Sequence, residues 1–416
     1  MTGFSVGSTS SPSTMGRRQF LGVGLGLAAL PVLGCGRSLL SPALREAAGG
    51  ETAPRARLRD LGIRIGSLTP GPHNAITDVP GVVVGHTTLI RGDGPLKVGV
   101  GPVRTGVTAV LAHQGDLTRE PVFAADLTLN GNGEFTGLGP LRRTGRLGAP
   151  ILLTDTESIG PVYDGAMGYL LELNPDLFSG PFRPEPVVGE TSAGFLHDAG
   201  GRHVLPEHAV DAIRNARPGP VAEGNVGGGT GMRAYRFKAG IGTASRAADV
   251  SGVMYTTGVL VQANHGLRSH FTVQGVPVGT EIPDLLLEEG GGGNGKSLLA
   301  VIATDAPLLP VQLQALCKRA TMGMARTGSI STRSSGDLMV AFSTAHRLPP
   351  TTSRHDIDAV QSGFDAIYQS VVEAIEEAIL NALTAASTMV GRDGNRIHAL
   401  PLDRFVTVMR RYGRLK

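Results

Sequence analysis

The sequence predicts a mixed α/β protein in which helices lie against sheets, and two observations carry that expectation. Short runs rich in Val, Ile and Leu recur between glycine turns, the pattern of buried strands, and two longer stretches repeat apolar residues at helical spacing. The strand-like runs are Gly81 to Gly85, Gly106 to Ala112, Ala149 to Thr154, Gly252 to Gln262, Ser297 to Thr304 and Leu338 to Ser343. The helical stretches are Leu308 to Ala325, with Pro310 near its start, and Ile357 to Thr388, closed by Gly391. Cys317 falls on the repeat Leu313, Leu316, Cys317, Ala320, where a core residue is expected.

A chain of 416 residues, 41% hydrophobic and 18% charged, can bury a large core in one big domain or two. Its 60 glycines and 27 prolines imply many tight turns, yet no G-x-y period points to collagen. The formal charge is +3 and no long basic run occurs, so nothing asks for a nucleic-acid partner.

The N-terminus reads as an address rather than as fold. A polar, Ser-rich start leads into Gly16-Arg17-Arg18-Gln19-Phe20-Leu21, then an apolar stretch to Leu33 too short to span a bilayer. That order is expected of a twin-arginine export signal. The stretch closes on Val32-Leu33-Gly34-Cys35, which resembles a bacterial lipobox; Cys35 would then be lipidated and anchor the chain to a membrane, with ordinary signal-peptidase cleavage as the alternative. Residues 1–35 are thus the signal, 36–60 a tether that is charged and unpatterned from Glu51, and 61–416 the functional body. With Cys35 lipidated or removed, Cys317 has no partner for a structural disulfide.

Gly290 to Ser297 reads GGGGNGKS and fits the phosphate-loop pattern G-x-x-x-x-G-K-[ST]. A phosphate loop works because it ends as the first turn of a helix, whose free N–H groups receive the phosphates. Here Leu298 to Thr304 is a short apolar run followed by Asp305 and Pro307, which suits a buried strand. The context rejects a nucleotide site and leaves either a glycine linker or some other use of glycine, lysine and serine in that order.

Nine collinear stretches together resemble one family. They are TDVPGVVVGHTTL at Thr77, GVTAVLAHQGD at Gly106, LNGNGEFTGLG at Leu129, EGNVGGGTGM at Glu223, FKAGIGTASR at Phe237, VQANHG at Val261, IATDAPLLPVQL at Ile302, SSGDLMVAFSTA at Ser334 and MVGRDGNRIHALP at Met389. From about Leu61 to Leu402 the chain looks like a DmpA-type aminopeptidase, in the group that includes the bacterial β-aminopeptidases and is distantly related to ornithine acetyltransferase. The resemblance implies an αββα sandwich, a precursor that cuts itself, and a new N-terminal Ser or Thr as nucleophile. By position, GGGGNGKS is then the processing loop, cut between Lys296 and Ser297 into α and β chains.

Chemistry suits that assignment. For Ser297 Oγ to attack the Lys296 carbonyl the backbone must fold back, and glycines supply the positive-φ conformations this requires. The freed α-amine has a reference pKa near 8, so it can serve as a base beside the hydroxyl. Lys296 departs from the small residue usual before the nucleophile. In VQANHG, Asn264 matches the family's oxyanion-hole asparagine; its alternative is a turn asparagine. In SSGD, Ser335 and Asp337 match the pair that orients the nucleophile, and residues two apart in a strand share a face; by itself SSGD is an ordinary turn sequence. In GETSAG, Glu190 matches the carboxylate that binds the substrate's free amine, while Ser192 replaces an aromatic residue. Asp155 and Glu157 stand where relatives often have Asn and His.

His86, His113 and His265 lie at strand ends near glycines without H-x-x-x-H or H-E-x-x-H spacing, so they read as structural, and neither a metal nor another cofactor is implied. The expected function is an exported serine aminopeptidase or amidase acting on short peptides, amides or esters with a free amine, assembled as a homo-oligomer of αβ units. Two alternatives stand beside it: an acyltransferase related to ornithine acetyltransferase, and a noncatalytic envelope-binding homologue whose Lys296 has stopped processing.

Overall fold

A computed structural model describes residues 55–180, 182–286 and 297–415. In chain order the strands are β1 (Val83–Arg91), β2 (Val103–Leu111), β3 (Val122–Gly131), a two-residue β4 (Arg146–Leu147), β5 (Ile151–Thr154) and β6 (Val187–Glu190). They continue with the hairpin β7 (Arg233–Ala234) and β8 (Phe237–Lys238), then β9 (Ile241–Val250), β10 (Val253–Asn264), β11 (Ser297–Thr304), β12 (Gly336–Ser343), and the short pair β13 (Met389–Val390) and β14 (Arg396–Ile397). The helices are α1 (Leu138–Thr144), α2 (Ile159–Leu173), α3 (Pro206–Arg214), α4 (Val278–Glu281), α5 (Pro310–Arg326), α6 (Phe364–Thr384) and α7 (Leu402–Arg411).

Two sheets carry the architecture. One has the order β1-β2-β5-β6, the other β4-β3-β12-β11-β10-β9. Alternation along β11 shows how they stack, because successive side chains of a strand point to opposite faces. Leu298, Ala300 and Ile302 pack with Leu313 and Leu316 of α5 and Ile375 and Ile379 of α6. Leu299, Val301 and Ala303 pack with Val107 and Ala109 of β2 and Leu152 of β5. Helices α2 and α3 cover the other face of the four-stranded sheet. The layers are therefore helix, sheet, sheet, helix, and the strand at Ser297 is buried on both faces, which is why it reads as an unbroken apolar run.

The six strand-like runs and two helical stretches all form the expected element type, Ser297 to Thr304 with the expected bounds and the others with shifted ones. The helix expected from Ile357 starts only at Phe364, because Gly363 adopts a left-handed φ of 77° and sets the N-terminus there. Strands β3, β6 and β9 and helices α2, α3 and α7 have no counterpart in the sequence reading. In β9, Thr243, Ser245 and Arg246 interrupt the apolar pattern yet are buried.

The end of the expected tether needs correction. Leu58 is fully buried in the main core, Arg55 donates from Nε to the Thr384 carbonyl at 3.0 Å, and Arg59 pairs with Glu377 at 2.7 Å. Charge misled here, since those arginines find partners on α6. Buried Arg246 lies between Glu373, at 3.1 Å, and Glu377, and Asn74 donates to Glu377 Oε1 at 2.6 Å. Helix α6 thus buries several carboxylates because arginines from β9 and the N-terminal segment meet them.

Candidate active site

Ser297 is the first residue of β11, held between β10 and β12. In register, Asn264 lies opposite it and Gly336 beside it. Ser297 shares the alternation of Leu299 and Val301, and Asn264 that of Leu260, so both occupy the face between the sheets. The Gly336 amide donates to Ser297 Oγ at 3.3 Å. Residue 336 has to be glycine, because a Cβ there would stand 2.5 Å from the Asn132 carbonyl oxygen.

Asn264 is fixed at both ends of its amide. Its Oδ1 accepts from the Arg233 amide at 3.1 Å and its Nδ2 donates to the Ser192 carbonyl at 3.1 Å. An amide nitrogen carries two hydrogens, and among the described residues Nδ2 makes this one hydrogen bond. Ser192 itself is exposed and contributes its backbone here.

Ser335 and Asp337 do meet, and the hydrogen bonds of Asp337 run to Ser335, Ser331 and the Leu298 amide rather than to Ser297 Oγ. Ser335 Oγ donates to Asp337 Oδ1 at 2.8 Å, the Leu298 amide donates to the same oxygen at 3.1 Å, and Ser331 Oγ donates to Oδ2. Gly336 faces the gap between the sheets, so Asp337 faces away from it and grips the backbone next to Ser297. Burial raises the Asp337 pKa, and its three hydrogen bonds oppose that shift.

Glu190 ends β6 on the facing sheet, only 6% exposed. Thr156 Oγ1, which the sequence reading does not single out, donates to Glu190 Oε2. A Cβ on Gly133 would stand 3.3 Å from Glu190 Oε1 and 3.2 Å from Gly336 Cα, so this glycine is the spacer between the carboxylate and the strand beside Ser297. The LNGNGEFTGLG motif thus supplies closeness rather than a reacting group. Burial raises the Glu190 pKa, with further upward pressure from Glu157 and Asp155. Asp155 is fully buried, accepting from Thr105 Oγ1 and, at 3.0 Å, from Ser158 Oγ; burial raises its pKa as well.

The three histidines make local contacts. His86 Nδ1 meets Thr108 Oγ1 at 3.0 Å, His113 joins the Gly115 amide and the Glu120 carbonyl, and His265 lies 3.3 Å from the Tyr235 hydroxyl. Cys317 is buried in the α5 core as expected. Cys35 and Lys296 lie outside the described residues, as do the export signal and the amino-terminal side of the expected cut.

Comparison with known proteins agrees with this geometry. The model of peptidase family S58 matches residues 74–397. The chain is 44% identical over 384 residues to the β-peptidyl aminopeptidase BapA of Sphingosinicella microcystinivorans, covering 88% of this chain and 95% of the relative. Among solved structures, the β-aminopeptidase of a Burkholderia species superposes with a TM-score of 0.78 at 42% identity, covering 86% of this chain and 99% of that one. The L-aminopeptidase D-Ala-esterase/amidase of Ochrobactrum anthropi, described as a prototype serine aminopeptidase with a variant of the Ntn hydrolase fold, gives a TM-score of 0.80 at 39% identity over the same shares. A buried strand opening on Ser297 inside the six-stranded sheet, a pinned asparagine beside it and a family match across most of the described body lead to one conclusion: the chain belongs to peptidase family S58, as an aminopeptidase of the DmpA type with an N-terminal-nucleophile hydrolase fold.

Proposed function

We propose that this aminopeptidase processes itself between Lys296 and Ser297 and then removes N-terminal residues from short peptides, amides or esters that carry a free amine. The observation that carries the reading is the convergence of Ser297 and Asn264 on one sheet with Glu190 on the other, across the single spacer Gly133. Ser297 Oγ attacks the scissile carbonyl while the α-amine freed by processing takes the hydroxyl proton and returns it to the leaving amine or alcohol. The second N–H of Asn264 meets the developing oxyanion, Asp337 holds the strand through the Leu298 amide, and Glu190 receives the substrate ammonium. Water then hydrolyses the acyl-enzyme by the same route.

Exposed Ser192 leaves the amine pocket without an aromatic wall, so selection among side chains is weak and bulkier or non-α amino groups are accepted. The β-peptidyl specificity in the name of the BapA relative points the same way. Arg17-Arg18 and Cys35 support export by the twin-arginine route to the periplasm or envelope with a lipid anchor, and we propose assembly as an oligomer of αβ units.

Two measurements test the reading. The purified wild type should show two chains on a denaturing gel, the smaller starting Ser297-Leu298-Leu299, and Ser297→Ala should stay uncut and inactive. In kinetics, kcat/KM on a free amino-acid p-nitroanilide should exceed that on its N-acetyl form by about 10- to 150-fold, the worth of a charge-assisted hydrogen bond, and Glu190→Gln should erase the difference. Equal rates on both substrates would make the protein a general amidase.

A further inference from the structure

The hairpin β7–β8 lies beside the site with no role assigned to it. Its two central residues, Tyr235 and Arg236, both have left-handed φ, 51° and 62°, in a two-residue turn of the kind that favours Asn-Gly. Bulky residues persist in such a turn only where the surroundings hold them. Arg268 does so: its Nε donates to the Tyr235 carbonyl at 2.8 Å, its NH2 donates to the Arg236 carbonyl at 3.0 Å, and its guanidinium stacks 3.3 Å over the Phe237 ring. The Tyr235 hydroxyl meets Thr327 Oγ1 at 2.7 Å inside the core.

The held turn sets Lys238 across from Arg233. Lys238 is fully buried, and its ammonium donates to the carbonyls of Ala239 at 2.6 Å, Met232 at 2.8 Å and Gly229 at 3.4 Å. The Met232 carbonyl belongs to the peptide unit whose N–H, that of Arg233, donates to Asn264 Oδ1. One chain of hydrogen bonds therefore runs from Lys238 Nζ through the Met232–Arg233 peptide to the Asn264 amide, and on from Nδ2 to the Ser192 carbonyl. Each donor in such a chain polarises the next, so a cation at its head strengthens the Arg233 N–H as a donor and the Asn264 N–H groups in turn. Burial sets the lysine well below its usual pKa, a cost that an apolar side chain of similar length would not carry.

We infer that Lys238 is a positioning residue for the aminopeptidase reaction, fixing and polarising the Asn264 amide through the Met232–Arg233 peptide. The inference rests on the reading of Asn264 as the oxyanion donor. Satisfying three carbonyls would explain a buried donor at this place; the inference adds that the peptide it grips is the one that orients Asn264.

The test measures kcat and KM on a free amino-acid p-nitroanilide, per mole of processed chain, for wild type, Lys238→Met, Lys238→Gln, Asn264→Ala and Lys238→Gln with Asn264→Ala. We expect Lys238→Met, which leaves the Asn264 donor in place but less firmly set, to lower kcat by less than the roughly 100- to 1,000-fold of losing an oxyanion donor outright, about tenfold to a hundredfold, with KM within about twofold, and Lys238→Gln, which keeps two N–H donors without the charge, to fall between it and wild type. On the Asn264→Ala background, Lys238→Gln should cost nothing further, since residues acting through one group are not additive. An equal loss from Lys238→Gln on both backgrounds, or a loss confined to KM, would overturn the inference. Unfolding on both Lys238 substitutions would assign the lysine to stability and overturn it equally. If Asn264→Ala alone leaves kcat unchanged, it is the oxyanion reading that fails, a separate outcome.

Discussion

Glu190 shows how one residue's setting fixes a pH response. Its carboxyl is raised above the ordinary 4.5 by burial, and the nearby charges of Glu157 and Asp155 add to the shift. In the proposed role the amine-binding form is the ionised one, so affinity would be full above the raised folded pKa and lost as pH falls through it. KM for a free-amine substrate should therefore rise with acidification at higher pH than an exposed glutamate would dictate. KM is the quantity to follow, because the α-amine of a freed Ser297, whose reference pKa is near 8, acts on kcat in the proposed mechanism. Glu190→Gln should flatten that acid limb and raise KM at neutral pH by about 10- to 150-fold. An acid limb that persists in the Gln variant would assign the titration to another group. At this scale the sequence named Ser297, Asn264, Asp337 and Glu190, but not Thr156 or Lys238, because a hydroxyl or ammonium that acts through a neighbour carries no local pattern.

Helix α6 illustrates what an element demands of the strand it covers. Glu373 and Glu377 lie under β9 with Arg246 between them. Burial acts to raise both carboxyls. For Glu373, hydrogen bonds from Gln369, Ser67, Leu68 and Arg246 outweigh it, and for Glu377 the pairing with Arg59 and Arg246 does, so both end below 4.5. A depressed carboxyl contributes stability that is fully present above its unfolded pKa and is lost as pH falls through the folded one. Arg246→Met should destabilise the protein by about 3–5 kcal/mol at neutral pH, since it leaves buried carboxylates short of a partner. Urea unfolding followed by circular dichroism measures this; a loss under about 1 kcal/mol would mean that Arg59 and Asn74 on Glu377, with Gln369, Ser67 and Leu68 on Glu373, hold the cluster without Arg246. Periodicity found α6 because its apolar face is long and regular, whereas β9 escaped because its buried arginine and hydroxyls break the apolar run that marks a strand.

For the whole molecule, the boundary of the folded body is the testable quantity. Arg55 to Asp60 belongs to it, through Leu58 in the core and Arg59 on Glu377. A chain lacking residues 1–54 should melt like the full protein, while one lacking 1–60 should lose at least the roughly 1.5–3 kcal/mol of burying one leucine, with the Arg59 pairing in addition. Thermal unfolding of the two truncations decides, and equal melting temperatures would return this segment to the tether. The two sheets depend on each other in the same way. Gln262 of β10 donates to the Thr154 carbonyl of β5 and to Thr191 Oγ1, both at 2.8 Å, so the sheet bearing Asn264 and the sheet bearing Glu190 are tied within two residues of the site.

The sequence by itself determined the α/β class, the strand that opens on Ser297 and, through nine collinear motifs, the family, and it nominated the residues proposed for the site. These are local properties: period-two apolar runs, glycines where the backbone must come close, and short motifs whose spacing survives in one dimension. Only the tertiary structure decided that Asp337 grips the Leu298 amide rather than the hydroxyl of Ser297, that Gly133 sets the approach of Glu190, and that a held hairpin brings Lys238 to the peptide beside Asn264. The Asp337 contact spans 39 positions, Gly133 approaches Glu190 and Gly336 from far along the chain, and the short Lys238 contact matters only because the next residue's amide meets Asn264, 31 positions on. Such contacts are set by how sheets stack and strands register, which no window along the chain contains.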